Sequence, residues 1–487
     1  MPIILIKNGL TYDGSGEPAL KKDILIRRGH VARLGSFPKK HADVVIDAAG
    51  ATVTPGFIDI NSSFDHYLGV FNEPSGESLI RAGITTILGG NCGSSLAPVF
   101  GNSLLSLRKW TDFSKINVGW HKLPELLKIL ERRGLGVNFG TLVGHGTVRR
   151  GLLGEDFRDL TDREMAAMKE IIGEALKDGA FGLSFGLEYV HAKMTPYREL
   201  IEVAKIAAQF QKPVAVHLRD STDGLDVAVG EIIKLARDSA ASLEINHFEP
   251  VLGFREKYIK ARGAIEAETA VTHINFDCNS DGILGAPIYQ LLPPNLKRGN
   301  LETMNESIKE AHLEKEILEH LKKVVSDEIT ISYAPPPLQF LNGRTLVEFA
   351  ASHELKKEEA LFRLMHLSRL RATVLLKTVD EKIMAEFLAS PASFISSGDT
   401  GQNGIFANFL GWANKNKMPL EQAIAKMTSG PAAKFKIKKR GLIKEDYFAD
   451  IVVLRDLKVK DVVVNGKIAL ADGVATKSLS GSVLRSD

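Results

Sequence analysis

Residues that could do metal-assisted chemistry stand at the ends of predicted strands. Cys92 and Asp399 each follow an apolar run, and His217 and His247 each end one. A thiolate, two imidazoles and a carboxylate are ligands that Zn2+ takes in tetrahedral sites. Taken alone, a strand-end histidine is more often a hydrogen-bonded interior residue, and a lone cysteine a small buried hydrophobe. Their convergence favours a zinc site, where the ion lowers the pKa of water and a carboxylate takes the proton.

A second chemistry is suggested by Gly182–Gly186, which matches the G-x-S-x-G motif of serine hydrolases. That motif requires a helix directly after the turn, whereas this sequence runs on toward Pro196 in a pattern that is poor for a helix. We therefore expect Ser184 to pack at the end of its strand.

Eight short apolar runs alternate with amphipathic segments through the middle of the chain. The runs are 57–61, 84–88, 137–143, 180–184, 213–217, 243–247, 272–277 and 393–397, with helical patterns such as 163–178 and 199–211 between them. This order predicts an α/β fold, a (β/α)8 TIM barrel whose chemistry lies at the C-terminal strand ends. About 110 residues separate the last two runs. Part of this intervening segment is rich in Pro and Gly, which predicts an insertion or lid at about 282–345.

Both ends of the chain are rich in short β-branched runs broken by Gly and Asp. We interpret residues 1–55 and 436–487 as one small β-sandwich domain formed by both termini, with the barrel over 56–435. The opening segment Met1–Leu10 has Lys7 and Asn8 inside its apolar stretch, which predicts a strand rather than a signal peptide.

The composition of the 487 residues is that of an ordinary globular enzyme, with 44% apolar and 25% charged residues. Lys and Arg number 62 against 59 Asp and Glu, a net charge of +3 without a long basic run, so nucleic acid is not an expected partner. Two cysteines cannot form a disulfide framework, which favours a reducing, cytoplasmic location. Since apolar runs stay short, we expect no membrane span. The oligomeric state is left open.

Several motifs follow one another in the order of a known family. They are VTPGFIDINSSFD (53–65), AGITTILGGNCGSSLAP (82–98), LVGHGTVRRG (142–151), GLEY (186–189), VHLRD (216–220), INHFEP (245–250), LLPPNL, FLNGRTLVEFA, MTSGPAAKF, KKRGLIKEDYFADIVVL and VVVNGKIALADG. In these motifs, which span almost the whole length, the chain resembles the amidohydrolase superfamily and, within it, the N-acyl-D-amino-acid deacylase (D-aminoacylase) family. Each motif alone is weak, and their collinear order carries the resemblance.

The resemblance implies a (β/α)8 barrel with a small β-sandwich and one tightly bound Zn2+ held by Cys92, His217 and His247. It also implies Asp399 as general base on the metal-bound water and hydrolysis of the amide bond of a small molecule. Tyr189 and His145 would lie near the substrate.

Several positions depart from the family pattern, and four of them concern metal or substrate binding. The family's His-x-His pair after the first strand is replaced by Asn61 and Ser63, so a second metal is not expected. A lysine two residues after the sixth-strand histidine becomes Glu249, and the arginine that grips the substrate carboxylate becomes Asn408. Loss of a bidentate arginine predicts weaker binding of anionic acyl-amino acids, or a reversed charge preference.

Two functions therefore stand side by side. One is a mononuclear zinc amidohydrolase whose substrate lacks a free α-carboxylate or carries a cation near Glu249. The other is a catalytically silent binding protein on the same scaffold, supported by the missing histidine pair and the lost carboxylate clamp. Metal content discriminates between them.

Overall fold

The computed structural model describes residues 1–113, 116–326, 328–398 and 404–487. Within these ranges strands dominate both ends of the chain, and strands and helices alternate between them. The N-terminal strands are β1 (Ile4–Lys7), β2 (Leu10–Thr11), β3 (Asp23–Arg27), β4 (His30–Gly35), β5 (Val44–Asp47) and β6 (Thr52–Pro55).

The middle of the chain alternates strand and helix. Its elements are β7 (Phe57–Asp59), α1 (Gly69–Asn72), α2 (Glu77–Arg81), β8 (Ile84–Gly89), α3 (Leu123–Arg133), β9 (Asn138–Thr141), β10 (Val143–Gly144), α4 (His145–Leu153), α5 (Asp162–Lys177), β11 (Leu183–Gly186), α6 (Tyr197–Gln209), β12 (Val214–His217), α7 (Leu225–Ser239), β13 (Leu243–Asn246), α8 (Arg255–Thr272) and β14 (Asn275–Cys278).

The remaining elements complete an inserted segment and the C-terminal part. They are β15 (Ile283–Pro287), α9 (Leu301–Ser307), α10 (Ala311–Val324), β16 (Thr330–Tyr333), α11 (Leu346–Ser352), α12 (Lys357–Ser368), β17 (Thr373–Lys377), α13 (Glu381–Ala389), β18 (Ser393–Ile395), α14 (Ile405–Lys415), α15 (Leu420–Ala425), α16 (Ser429–Lys434), β19 (Ile451–Arg455), β20 (Lys458–Val464), β21 (Lys467–Ala471) and β22 (Val474–Ala475).

The central strands pair in parallel, which makes this an α/β protein. One sheet has the order β7-β8-β9, and a second has the order β10-β11-β12-β13-β14-β18. Only Leu142 separates β9 from β10, and a parallel bridge joins Ser62, beyond β7, to Gly398, beyond β18. Because parallel strands place their carboxyl ends on one edge, the residues that follow them can meet there.

The helices between these strands show the local signals that sequence reasoning uses. Helix α5 begins at a capping box in which Thr161 Oγ1 accepts from the Glu164 amide at 3.3 Å and Glu164 accepts from the Thr161 amide at 2.9 Å. Its buried residues, including Met168 and Ile172, recur at helical spacing and face the strands.

The segment between β14 and β18 carries a sheet of its own. Strand β17 pairs antiparallel with both β15 and β16, and helices α9–α12 enclose a separate apolar cluster that includes Ile317, Leu361 and Val374. The segment contacts the central part where Tyr67 and Ser332 hydroxyls lie 3.0 Å apart. Since β17 ends at Lys377, this unit extends beyond the 282–345 expected from composition.

Strands from the two chain ends associate. Strand β19 pairs antiparallel with β6 in the six-stranded order β2-β6-β19-β20-β21-β22, and β4-β3-β1-β5 forms a second sheet. Ile6 and Ile26 of one sheet share a buried cluster with Val53 and Ile451 of the other. The alternating β-branched residues of each sheet thus cover one common core.

None of the helices in the described ranges is both long and apolar enough to cross a bilayer.

Candidate metal centre

Cys92, His217 and His247 converge at the carboxyl ends of β8, β12 and β13. One potential ligand atom from each lies within 4.8 Å of the others. The Cys92 Sγ atom is 3.7 Å from His217 Nδ1 and 3.3 Å from His247 Nε2. A tetrahedral zinc ion with its usual bond lengths holds sulfur and nitrogen ligands about 3.6 Å apart. The three side chains are therefore spaced so that they could hold one zinc ion.

The imidazole of His217 is oriented by a carboxylate. Glu188, in the loop after β11, places Oε2 3.0 Å from His217 Nε2, so Nδ1 faces Cys92. A carboxylate on the far nitrogen of a metal-binding histidine sets its tautomer and raises its basicity. The GLEY motif contains Glu188, but sequence reasoning assigned a role only to its neighbour Tyr189.

The loop that carries Cys92 is held against β11. Cys92 itself has φ of +52°, a left-handed conformation that is uncommon for a residue with a side chain. Ser184 on β11 donates to the Gly90 carbonyl at 2.5 Å and accepts from the Gly93 amide at 3.1 Å. A Cβ at Gly186 would lie 2.1 Å from the Cys92 carbonyl oxygen. Ser184 and Gly186 of the G-x-S-x-G match thus position the loop that carries Cys92, and turns rather than a helix follow β11.

The third residue of the cluster, His247, contacts a buried polar network. His247 also has a left-handed backbone, with φ of +56°, and its amide donates to Asp277 at 3.3 Å. The same carboxylate accepts from Asn246 at 3.1 Å, from Asn61 at 3.0 Å and from Ser396 at 2.5 Å. Four donors from the ends of three strands therefore fix Asp277, and Asp277 in turn fixes the turn at His247.

The two positions that the family fills with histidines are buried and polar. Asn61 is 1% exposed and Ser63 is 4% exposed. The Asn61 amide nitrogen lies 3.4 Å from both ring nitrogens of His247 while it donates to Asp277. Asn61 therefore lies beside the cluster as a hydrogen-bond donor.

Two further carboxylic acids are completely buried near this network. Burial raises the pKa of Asp59 to about 6, against hydrogen bonds from the Ser397 hydroxyl and amide that lower it. Burial also raises the pKa of Glu249 to about 7; His247 opposes this, and the like charge of Asp277 adds to it. Each acid accepts a backbone hydrogen bond, Asp59 from Ser397 and Glu249 from Asn279. The surroundings thus favour the neutral form of both acids.

The predicted substrate residues have different surroundings. Tyr189 is buried, and the centre of its ring lies 4.9 Å from that of His217. His145 is fully buried, and its Nε2 atom lies 2.7 Å from Oε1 of Glu199 on α6. Its imidazole is therefore already hydrogen-bonded to that helix. Asn408 is exposed on α14 and donates to Asp281 at 3.0 Å. Tyr189 therefore packs against a residue of the cluster, whereas His145 and Asn408 contact carboxylates elsewhere.

Asp399 lies outside the described residues. The preceding segment is ordered against the cluster, since a Cβ at Gly398 would lie 3.3 Å from His247 Nδ1. Its neighbours Ser396 and Ser397 donate to Asp277 and Asp59.

Comparison with known proteins defines the class. The model of the Amidohydrolase family matches residues 339–469. N-acyl-D-aspartate deacylase of Alcaligenes xylosoxydans xylosoxydans is 27% identical over 495 residues, covering 98% of this chain and 91% of the relative. By these matches the chain resembles the amidohydrolases and, over nearly its whole length, the D-aminoacylases.

Solved structures of D-aminoacylases and related deacylases have the same fold as this chain. A crystal structure of D-aminoacylase is 25% identical, with a TM-score of 0.82 and 99% of each chain covered. N-acyl-D-glutamate deacylase of Bordetella bronchiseptica, complexed with zinc and a phosphonate inhibitor, shares the fold at 24% identity and a TM-score of 0.82, again with 99% of each chain covered. The resemblance inferred from the motifs is thereby confirmed, and it supports a hydrolase of carbon–nitrogen bonds.

Proposed function

We propose that this protein is a mononuclear zinc amidohydrolase that cleaves an amide bond of a small molecule. The observation that carries the proposal is the convergence of Cys92, His217 and His247, whose ligand atoms are spaced as one zinc ion requires. The relatives named above are deacylases, and one of them was solved with zinc. Asn61 beside His247 offers an amide where the family has a histidine, which supports one metal rather than two.

A bound zinc ion would polarise the amide carbonyl and lower the pKa of water at this site. The chain's own residues would do the rest. Glu188 orients His217, and the buried ring of Tyr189 excludes solvent beside it. Asp399 is proposed as the general base that takes the proton from the attacking water, since the segment leading to it packs against His247.

The architecture we propose for this chemistry is a closed (β/α)8 barrel with a β-sandwich built from both termini. The single residue between β9 and β10 and the bridge Ser62–Gly398 support closure of the two parallel sheets. The core shared by the two terminal sheets supports the sandwich. We assign 1–55 and 436–487 to the sandwich and 56–435 to the barrel, with the inserted unit within it.

The substrate is proposed to differ from that of the relatives at its α-carboxylate. Glu249 lies completely buried next to the cluster, where an anionic α-carboxylate would meet an acid instead of a lysine. Asn408 donates to Asp281 and offers no guanidinium. An α-carboxylate would therefore be weakly held at this position.

Metal content tests the proposal. We expect about one zinc per chain by elemental analysis of the purified protein and a loss of that zinc in Cys92→Ala. Cys278→Ala is the matched control, because Cys278 is an equally buried cysteine whose Sγ faces the Phe248 carbonyl at 3.6 Å. That variant should keep its zinc.

If the wild type and Cys278→Ala contain zinc and Cys92→Ala does not, neutral, cationic and anionic amides would be screened as substrates. A wild type that holds no zinc even after incubation with the ion would overturn the proposal and favour the binding protein. Efficient turnover of ordinary N-acyl-D-amino acids would overturn the altered specificity alone.

A further inference from the structure

Thr147 belongs to the motif LVGHGTVRRG (142–151) and has no part in the chemistry described above. The motif suggested a substrate role for His145, but that imidazole is hydrogen-bonded to Glu199. Thr147 is fully buried in the first turn of helix α4, shortly after strand β10. That turn lies against the loop after β8, the loop that carries Cys92.

The Thr147 hydroxyl group is the centre of a small hydrogen-bonded clamp on this loop. Its oxygen accepts from the Ser95 amide at 2.8 Å and lies 2.8 Å from the Ser106 hydroxyl oxygen. The amide of Thr147 donates to the Gly93 carbonyl at 3.1 Å. In return, the Ser95 hydroxyl accepts from the Gly144 amide at 3.0 Å. Helix α4 and the loop are therefore joined by hydrogen bonds in both directions.

The loop lies between the start of α4 and strand β11 with little spare room. A Cβ at Gly144 would lie 2.7 Å from the Gly93 carbonyl carbon, and a Cβ at Gly93 would lie 2.6 Å from the Gly186 amide nitrogen. Backbone thus packs directly against backbone on both elements. Helix α4 is itself anchored, because the buried Glu199 on α6 accepts from Arg149 of that helix at 3.0 Å.

The clamp matters because the loop has an unfavourable backbone conformation. Cys92 has φ of +52°, and Gly90 and Gly93 beside it have φ of +73° and +70°. A residue with a side chain keeps a left-handed conformation only where its surroundings hold it there. This conformation sets the direction of the Cys92 side chain, and with it the distances from Sγ to His217 Nδ1 and His247 Nε2, 3.7 and 3.3 Å. Release of the loop would therefore disturb the spacing of the three residues.

We propose that Thr147 is a positioning residue of the metal site, whose hydroxyl group holds Cys92 in the conformation that binds zinc. The inference rests on the proposed function, since it requires a zinc ion at the three-residue cluster. Thr147 acts on the thiolate through the main chain of the loop, at Gly93 and Ser95. It gives the GHGT part of the motif a role at the metal in place of the substrate role expected of His145.

Metal binding by the full-length protein tests this role without turnover. In Thr147→Val the side chain keeps its shape but loses the hydroxyl group, so the Ser95 amide is left without its acceptor. We expect zinc affinity to fall by about tenfold or more, measured by competition with a chromophoric chelator. Cobalt(II) bound in place of zinc gives a second signal, because a cobalt–thiolate bond has a charge-transfer absorption. That absorption should be weaker or shifted, per bound cobalt, in Thr147→Val.

Three further variants make the result specific. Thr147→Ser keeps the hydroxyl group and should restore most of the zinc affinity and the cobalt–thiolate absorption. Ser95→Ala removes the acceptor of the Gly144 amide and should weaken zinc binding in the same direction; it carries the test if Thr147→Val does not fold. Thr428→Val is the matched control, because Thr428 is equally buried and donates to the Ile424 carbonyl at 2.7 Å, outside this loop. That variant should bind zinc and cobalt as the wild type does.

The outcomes separate this inference from the proposed function. Weaker zinc binding in Thr147→Val and Ser95→Ala, restored in Thr147→Ser, would support the positioning role. Zinc affinity and cobalt absorption equal to those of a zinc-binding wild type in Thr147→Val and Ser95→Ala would overturn the positioning role alone. An equal loss of affinity in Thr428→Val would also overturn it, since any buried hydroxyl would then have the same effect. A wild type that binds neither metal would overturn the proposed function, and the positioning role with it.

Discussion

At the scale of single residues, the candidate site depends on side chains outside the proposed ligand set. Glu188 holds His217, and Asp277 holds the turn at His247. Such partners set which ring nitrogen faces the ion and how basic it is. The ligand triad is therefore one part of a larger hydrogen-bonded assembly, and its outer members can be tested separately.

Removal of the charge at Glu188 should weaken zinc binding. In Glu188→Gln the side chain can still accept from His217 Nε2, but the negative charge that raises the basicity of the ring is lost. We expect affinity for zinc to fall about 10- to 100-fold, measured by competition with a chromophoric chelator. Glu231→Gln is the control, since Glu231 is equally exposed and pairs with Arg219 at 3.0 Å. Unchanged affinity in Glu188→Gln would contradict this role.

The buried acid Asp59 should make folding stability depend on pH. Its pKa in the folded protein is about 6, above the ordinary value of 3.8, so the folded state binds more protons than the unfolded state between these values. Stability should therefore fall as pH rises through this window, by roughly 3 kcal/mol in total. Asparagine mimics the protonated acid, so Asp59→Asn should flatten the dependence.

Urea unfolding of the zinc-free protein between about pH 4 and pH 7 measures this effect. The exposed Asp226 on α7 supplies the comparison, and Asp226→Asn should follow the wild type. Parallel curves for Asp59→Asn and the wild type would show that Asp59 ionises normally.

At the scale of elements, the loop after β8 and the strand β11 must approach more closely than side chains allow. Gly186→Ala should displace Cys92, because the added Cβ would lie 2.1 Å from the Cys92 carbonyl oxygen. We expect this variant to bind zinc at least about tenfold more weakly, since ligand position controls metal affinity.

A glycine in open space provides the contrast. Gly230 lies within helix α7, and an added Cβ there would meet no atom within 4 Å. Gly230→Ala should retain zinc and gain about 0.5–1 kcal/mol of stability. Full zinc content in Gly186→Ala would show that the loop adjusts without moving the thiolate.

At the scale of the whole molecule, the C-terminal sheet is attached to the central strands through a buried charge network. Asp450 accepts from Arg440, from the Asn465 amide at 2.7 Å and from the Asn138 side chain on β9 at 3.0 Å. Arg440 and Asp450 are both almost fully buried. The termini and the α/β part are thus expected to unfold together.

Neutralising Asp450 should be costly, because it leaves the buried Arg440 charge unpaired. We expect Asp450→Asn to lose about 3–5 kcal/mol in urea unfolding. Asp472→Asn should change little, since Asp472 is 92% exposed and its lysine partner is 3.8 Å away. A small effect at Asp450, or separate transitions for the two parts in the wild type, would contradict this linkage.

Sequence alone was sufficient to predict the succession of central strands along the chain and to group the three residues that the structure brings together. All eight predicted apolar runs contain strands, because alternation of β-branched runs and amphipathic segments is a local property. Cys92, His217 and His247 could be grouped because parallel strands present their carboxyl ends on one edge. The motif order also identified the superfamily.

Only the tertiary structure decided what surrounds these ligands. The contact of Glu188 with His217, the orientation of Asn61 toward Asp277 and the engagement of His145 by Glu199 depend on side-chain directions that spacing does not specify. One small cavity is lined by Arg108, Arg150 and Tyr289, which come from segments far apart in the chain. Such convergence arises from packing between elements, whereas periodicity and strand-end position are written in the local sequence.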